Sequence, residues 1–167
     1  LDDGAAQEAF LFPGVPVDPG FTQAHAGVNE LLKKTVREEL IKRGGEAVKV
    51  LDLYAGNGNL SLQLADIAQT ITGYETSPAS VRKAAEAAKR EGFSHARYAV
   101  STVEEAIKRT DGEEYTCAIA DPPRAGLASA ARPLAELDIP LVIYISCVPP
   151  SMAKDRSEER RVGKECR

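Results

Sequence analysis

Val48-Lys-Val-Leu-Asp-Leu-Tyr-Ala-Gly-Asn-Gly-Asn59 decides the fold. Alternating Val and Leu predict a strand over Val48–Leu53. Gly56 and Gly58 let the backbone turn tightly and come close to a ligand. Leu60–Ala68 then reads as a helix, whose N-terminus would aim backbone donors at the turn. Strand, glycine-rich turn and helix in that order open an α/β sheet that carries its chemistry at the strand ends.

Outward from this unit the pattern repeats. Upstream, apolar residues at 31, 32, 36, 40 and 41 predict a helix over Asn29–Arg43, stopped by Gly44-Gly45. Residues 1–20, with Pro13, Pro16 and Pro19, read as an extended entry segment. Downstream, Ile71–Glu75 is a strand, and Ser77 with Pro78 caps a helix running to Arg90 and ending at Gly92. Arg97–Val100 is a strand. Ser101-Thr-Val-Glu104 reads as a capping box, with Glu104 as its partner, opening a helix to about Arg109. Thr116–Ala120 is a strand, Ala128–Leu137 a helix and Leu141–Ser146 a strand. The alternation predicts an α/β fold with a doubly wound, mostly parallel, Rossmann-like sheet.

Composition narrows the class. The 167 residues, 43% hydrophobic, suffice for one core. Three cysteines, at 117, 147 and 166, form no even framework and no CxxC, which fits a reducing cytoplasm. No metal-ligating constellation stands out, and no apolar run is long enough to span a membrane. The net charge of −4 argues against a broad nonspecific nucleic-acid footprint on this chain, without excluding a nucleic-acid substrate. Residues 156–167 resemble the conceptual translation of a sequencing adapter and are expected to be foreign. They hold five basic and three acidic side chains, so residues 1–155 carry −6. The start at Leu1 reads as a point inside a longer protein.

Three strand ends carry the candidate chemistry. Glu75, 23 positions after Asp52, ends the second strand, where a carboxylate can accept ribose hydroxyls. Ser61 stands where a dinucleotide fingerprint wants its third glycine. The pattern therefore fits S-adenosylmethionine, which lacks a pyrophosphate, better than NAD. A GxG pair is also an ordinary structural turn. Thr102 lies where an adenine contact would fall, or simply starts a helix. Asp121-Pro-Pro-Arg124 is more specific: two prolines stiffen the turn, Asp121 can face an amino group or a base edge, and Arg124 can pair with a phosphate or carboxylate. Cys147 follows an apolar strand and precedes Pro149-Pro150. A lone cysteine is more often a small packing residue; at a strand tip beside these motifs it reads as a nucleophile. Cys117 reads as core and His95 as a solvated loop residue.

Phe21-Thr-Gln23 with Asn29, Asp52–Asn59, Asp121–Leu127, and Tyr144–Pro149 with Asp155 together resemble the RNA (uracil-5-)methyltransferase family of tRNA and 23S rRNA enzymes. The resemblance implies methyl transfer from S-adenosylmethionine to carbon 5 of a uridine, through a covalent adduct of the Cys147 thiolate with a flipped-out uracil. It implies cofactor contacts from Gln23, Tyr54, Asn59, Glu75 and Asp121, an RNA partner, no membrane, and a full-length monomer. Residues 21–155 would then be a catalytic domain cut before its last strands. The family's general base, a Glu beyond two more strands, would lie past residue 167, leaving this chain unable to turn over and Leu141–Ser146 an aggregation-prone edge. His25, Ala55, Ala87 and Val148 depart from the family pattern; Val148 removes a polar group next to the nucleophile. Two alternatives remain: an amino-methyltransferase acting on a nucleobase, and a non-catalytic cofactor-binding module associated with RNA. An NAD oxidoreductase is disfavoured by Ser61.

Overall fold

The computed structural model describes residues 26–110, 114–155 and 157. The entry segment, Gln23, His25, Cys166 and all but residue 157 of the adapter-like tail lie outside them. Five strands, β1 (Val48–Leu53), β2 (Ala68–Glu75), β3 (Ala96–Val100), β4 (Cys117–Ala120) and β5 (Leu141–Tyr144), form one sheet in the order β3-β2-β1-β4-β5. Every pairing is parallel, as the alternation predicted. Successive strands step outward from β1 in one direction to β3, then cross to the other side for β4. The switch point therefore lies between the C-terminal ends of β1 and β4, where an open sheet leaves a crevice.

Side chains alternate across the sheet and divide the core in two. On one face Val50, Ile71, Cys117 and Ile119 pack with Val36 and Leu40 of helix α1 (Ala26–Arg43), Leu64, and Ala88 of α2 (Pro78–Arg90). On the other, Leu51, Leu53, Ala118 and Ala120 pack with Val103, Ala106 and Ile107 of α3 (Val103–Thr110) and Leu134 of α4 (Ala131–Glu136). Cys117 is fully buried, as expected of a core residue, and burial pushes its thiol up to about 12.

Local signals hold where the chain satisfies itself locally. Ser77 caps α2 by accepting from the Ser80 N–H, with Pro78 in the first turn. Three expectations give way to tertiary contacts. Leu60–Ala68 is not a helix: only a single 3-10 turn, Leu62–Leu64, forms before β2 begins at Ala68. Helix α1 supplies the partners that a helix would have supplied. Arg37 donates to the Gln63 carbonyl at 2.7 Å and pairs with Asp66, and the Gln63 amide donates to the Lys33 carbonyl. The cap of α3 sits one residue later than the box predicted. Thr102 accepts from the Glu105 N–H, whereas Glu104 accepts from Ser129. His95 is not merely solvated; its Nε2 lies 2.8 Å from the Ala65 carbonyl and its ring meets Phe93 edge-on.

Candidate active site

The cofactor-type loop begins with a backbone reversal. Tyr54 has φ 60°, a left-handed conformation rare for an aromatic residue, and Gly56 and Gly58 follow at 54° and 79°. The Ala55 N–H still donates to the Tyr74 carbonyl, so the turn is anchored to β2. The space in front of Gly56 is open: no atom lies within 4 Å of where a Cβ would stand. The Tyr54 ring leans on the α3–α4 face, towards Glu104 and Asp155.

Glu75 faces this loop from the tip of β2. Its Oε2 accepts from the Gly56 N–H at 3.0 Å, and its Oε1 from the Ser77 N–H and the Thr76 hydroxyl. Partial burial pushes the carboxyl up, but these donors outweigh it and hold Glu75 below its ordinary range. Of these donors the Thr76 hydroxyl is exposed and free to turn away, which would open an acceptor site on the carboxylate.

Behind the loop lies a buried polar chain that the sequence reading did not find. Asp52, 2% exposed, accepts from Ser61 Oγ, which lies 2.9 Å from the Tyr98 hydroxyl. Asp52, Gly73 and Tyr98 are in register across β1, β2 and β3. The Tyr98 ring lies over Gly73, where any Cβ would overlap it. A glycine inside a strand marks such a close approach, and Gly73 was the available signal. Ser61, noted as a departure from a dinucleotide fingerprint, is the centre of this chain.

Burial raises Asp52 to about 7, against the hydrogen bond from Ser61 that lowers it, with Asp121 and Glu75 adding to the rise. The native state therefore keeps a proton that the unfolded chain releases above its ordinary value near 4. Stability should fall as pH rises from about 4 to about 7, by up to about 4 kcal/mol, and level off beyond. Asp121, raised by burial to about 6, acts in the same direction. Thermal unfolding at pH 5 and pH 8 checks this. The wild type should melt higher at pH 5, and Asp52→Asn should remove most of the difference. A slope unchanged by Asp52→Asn would refute the assignment.

On the other side of the switch point, Asp121 follows β4 and Cys147 follows β5. The Ile145 N–H donates to the Ala120 carbonyl at 2.8 Å, so the two strand ends run together up to these residues. Cys147 is exposed. The Ser146 hydroxyl bridges the loop around it, donating to the Val148 carbonyl at 3.0 Å and accepting from the Val148 N–H at 3.1 Å. Ser146 thus orders the segment where Val148 offers no polar side chain. Residues 149–155 are helical, and Asp155 among them, 6% exposed, accepts from the Leu127 N–H and the Tyr144 hydroxyl.

Glu75, Asp121, Cys147 and the Tyr54–Gly58 backbone thus stand at one end of the sheet. The Asn59 side chain turns aside: its amide pairs reciprocally with Asn29 of α1, at 2.7 and 3.3 Å. Among the described residues no His, Cys, Asp and Glu cluster could hold a metal ion, and no helix is long and apolar enough to cross a membrane.

The geometry agrees with comparisons to known proteins. The family model described as tRNA (Uracil-5-)-methyltransferase matches residues 15–161. The 23S rRNA (uracil(1939)-C(5))-methyltransferase RlmD of Chromohalobacter salexigens is 38% identical over 141 residues, covering 84% of this chain and 28% of that protein. The RlmD of Aromatoleum aromaticum is 33% identical over 163 residues, covering 91% and 37%. The chain thus spans about a third of the length of these curated relatives. In fold it is similar to the Pyrococcus abyssi tRNA (uracil-54, C5)-methyltransferase crystallised with S-adenosyl-L-homocysteine. The TM-score is 0.70 at 24% identity, over 84% of this chain and 33% of that one. By its family match and by these relatives, the chain belongs to the RNA (uracil-5-)methyltransferase family.

Proposed function

We propose that this chain is the catalytic part, over residues 21–155, of an enzyme that transfers a methyl group from S-adenosylmethionine to carbon 5 of a uridine in rRNA or tRNA. The observation that carries the reading is Cys147 on the strand next to Asp121, across the switch point from a glycine loop faced by Glu75. Free thiols at Cys117 and Cys147 suit a cytoplasmic setting.

The residues fit the cofactor. Glu75, held ionised, suits a ribose diol, and the open face at Gly56 admits a ligand against the backbone. Ser61 fills the place of a third glycine and is committed to Asp52, which disfavours a pyrophosphate. Asp121 would face an amino group or base edge, Tyr54 would contribute through its reversed backbone, and Gln23 would complete the contacts. Asn59 would act from its pairing with Asn29, tying the loop to α1. When bound, S-adenosylmethionine supplies an electrophilic methyl group on a sulfonium sulfur.

Cys147 supplies the other half. Its thiolate adds to carbon 6 of the uracil, the pair of the 5,6 double bond moves between carbons 4 and 5, and the carbon 4 carbonyl pair moves onto its oxygen, giving an enolate. That makes carbon 5 nucleophilic enough to take the methyl group, whose bond to the sulfonium sulfur would break with S-adenosylhomocysteine as the leaving group. Loss of the carbon 5 proton to a base then re-forms the double bond and expels the Cys147 sulfur.

The test is the product. The protein in its complete open reading frame, incubated with methyl-labelled cofactor and unmodified 23S rRNA or tRNA transcripts, should yield labelled 5-methyluridine on nucleoside analysis. Label in a methylated adenosine or guanosine would replace the reading with an amino-methyltransferase. Cofactor binding without label in any RNA would favour a non-catalytic module.

A further inference from the structure

We infer that Asp155 is a positioning residue, which with Tyr144 latches the Cys147 loop onto the Asp121 turn. The inference rests on the reading of Cys147 as the nucleophile. A buried carboxylate needs donors, and Asp155 has two, both on Oδ2. The Tyr144 hydroxyl, at 2.7 Å, is 11 residues away in sequence and lies on the strand that leads into Cys147. Asp155 lies on the helical segment, from residue 149 onward, that leads out of it. The Tyr144–Asp155 bond therefore closes the excursion carrying Cys147 at its base.

The Leu127 N–H, at 2.8 Å, is 28 residues away and belongs to the Asp121–Leu127 turn. One oxygen thus joins the nucleophile's loop to the turn that holds Asp121. Two further features support the junction. Gly126, at φ +79°, leaves room for the carboxylate, because a Cβ there would stand 2.5 Å from Oδ2. Ser151 Oγ donates to the Arg124 carbonyl at 2.8 Å, a second tie between the same two segments. Asp155 touches no reacting atom; it sets where Cys147 stands relative to a uracil presented beside Asp121. A misplacement of about 1 Å at a reacting group costs on the order of a hundredfold in rate.

The experiment uses the protein in its complete open reading frame, S-adenosylmethionine, and 23S rRNA and tRNA transcripts carrying 5-fluorouridine, whose carbon 5 has no proton to lose after methylation, so that the Cys147 adduct is trapped. Asp155→Ala should slow adduct formation about a hundredfold and leave the dissociation constant for S-adenosylhomocysteine within about twofold, because Asp155 grips the turn at Leu127, its far end from Asp121, and the latch is remote from Glu75. Asp155→Asn, which keeps an acceptor oxygen, should recover most of the rate. Should Asp155→Ala fail to fold, Tyr144→Phe makes the same comparison through one lost hydrogen bond, with a slowing of about tenfold. A wild type that traps no RNA refutes the nucleophile reading and the latch with it. A wild type that traps RNA beside folded latch variants that trap it equally fast refutes the latch alone. Equal losses in adduct rate and cofactor affinity also refute it, since they mark general loosening of the fold.

Discussion

Cys147→Ser, in the protein's complete open reading frame, should lower uridine methylation by at least about 10⁴-fold and abolish the covalent adduct with 5-fluorouridine RNA. The serine hydroxyl is nearly isosteric but ionises too weakly to add to carbon 6. The substitution should leave the fold intact, because Cys147 is exposed and its loop is shaped by others. Ser146 brackets Val148, Ile145 extends the pairing of β5 with β4, and Asp155 holds the far end. Affinity for S-adenosylhomocysteine should change by less than about twofold, since Glu75 and the glycine loop stand across the switch point. Calorimetric binding and a melting curve, run beside the methylation assay, separate lost chemistry from lost structure. Methylation that persists in the serine variant would remove Cys147 from the mechanism and return the chain to the amino-methyltransferase reading.

The elements that could be read from the sequence are those whose partners lie within a few residues. Val48–Leu53 announces itself by Val and Leu, and α2 by Ser77 and Pro78. The strand-end rule then brings Glu75, Asp121 and Cys147 to one edge without knowledge of any contact. What escaped depends on distant partners. Leu60–Ala68 has helical spacing, but Arg37 and Lys33 satisfy its polar groups from α1 and leave only one 3-10 turn. Asn59 has the right place for a ligand contact, yet its amide meets Asn29, 30 residues upstream. Asp155 belongs to the motif around Cys147 by resemblance, with no partner to be read from the sequence; only the fold brings it to Leu127 and Tyr144. In two places the missing signal was a glycine. Gly73 and Gly126 leave the space that Tyr98 and Asp155 fill, and neither shows the partner it makes room for.

Gly73→Ala should be among the most destabilising single substitutions in the chain. Gly73 is buried in β2, between Asp52 on β1 and Tyr98 on β3. An added methyl would overlap the Tyr98 ring, with Cε1 at 2.5 Å, and would also crowd the Ala55 Cβ at 3.2 Å. The strand cannot retreat, because it is paired on both sides. The ring must therefore move, and its hydroxyl leaves Ser61, which alone links it to the buried carboxylate of Asp52. Overpacking of this kind costs up to about 3 kcal/mol, and the lost hydrogen bond about 1 more. For a chain of this length that lowers the melting temperature by roughly 8–16 °C. The origin of the cost is separable. If the ring is the obstacle, Tyr98→Ala should be far less damaging in the Gly73→Ala background than in the wild type, with a coupling of about 1–3 kcal/mol. Additive effects of the two substitutions, or a Gly73→Ala protein melting within a degree or so of the wild type, would show that the ring is not held over Gly73.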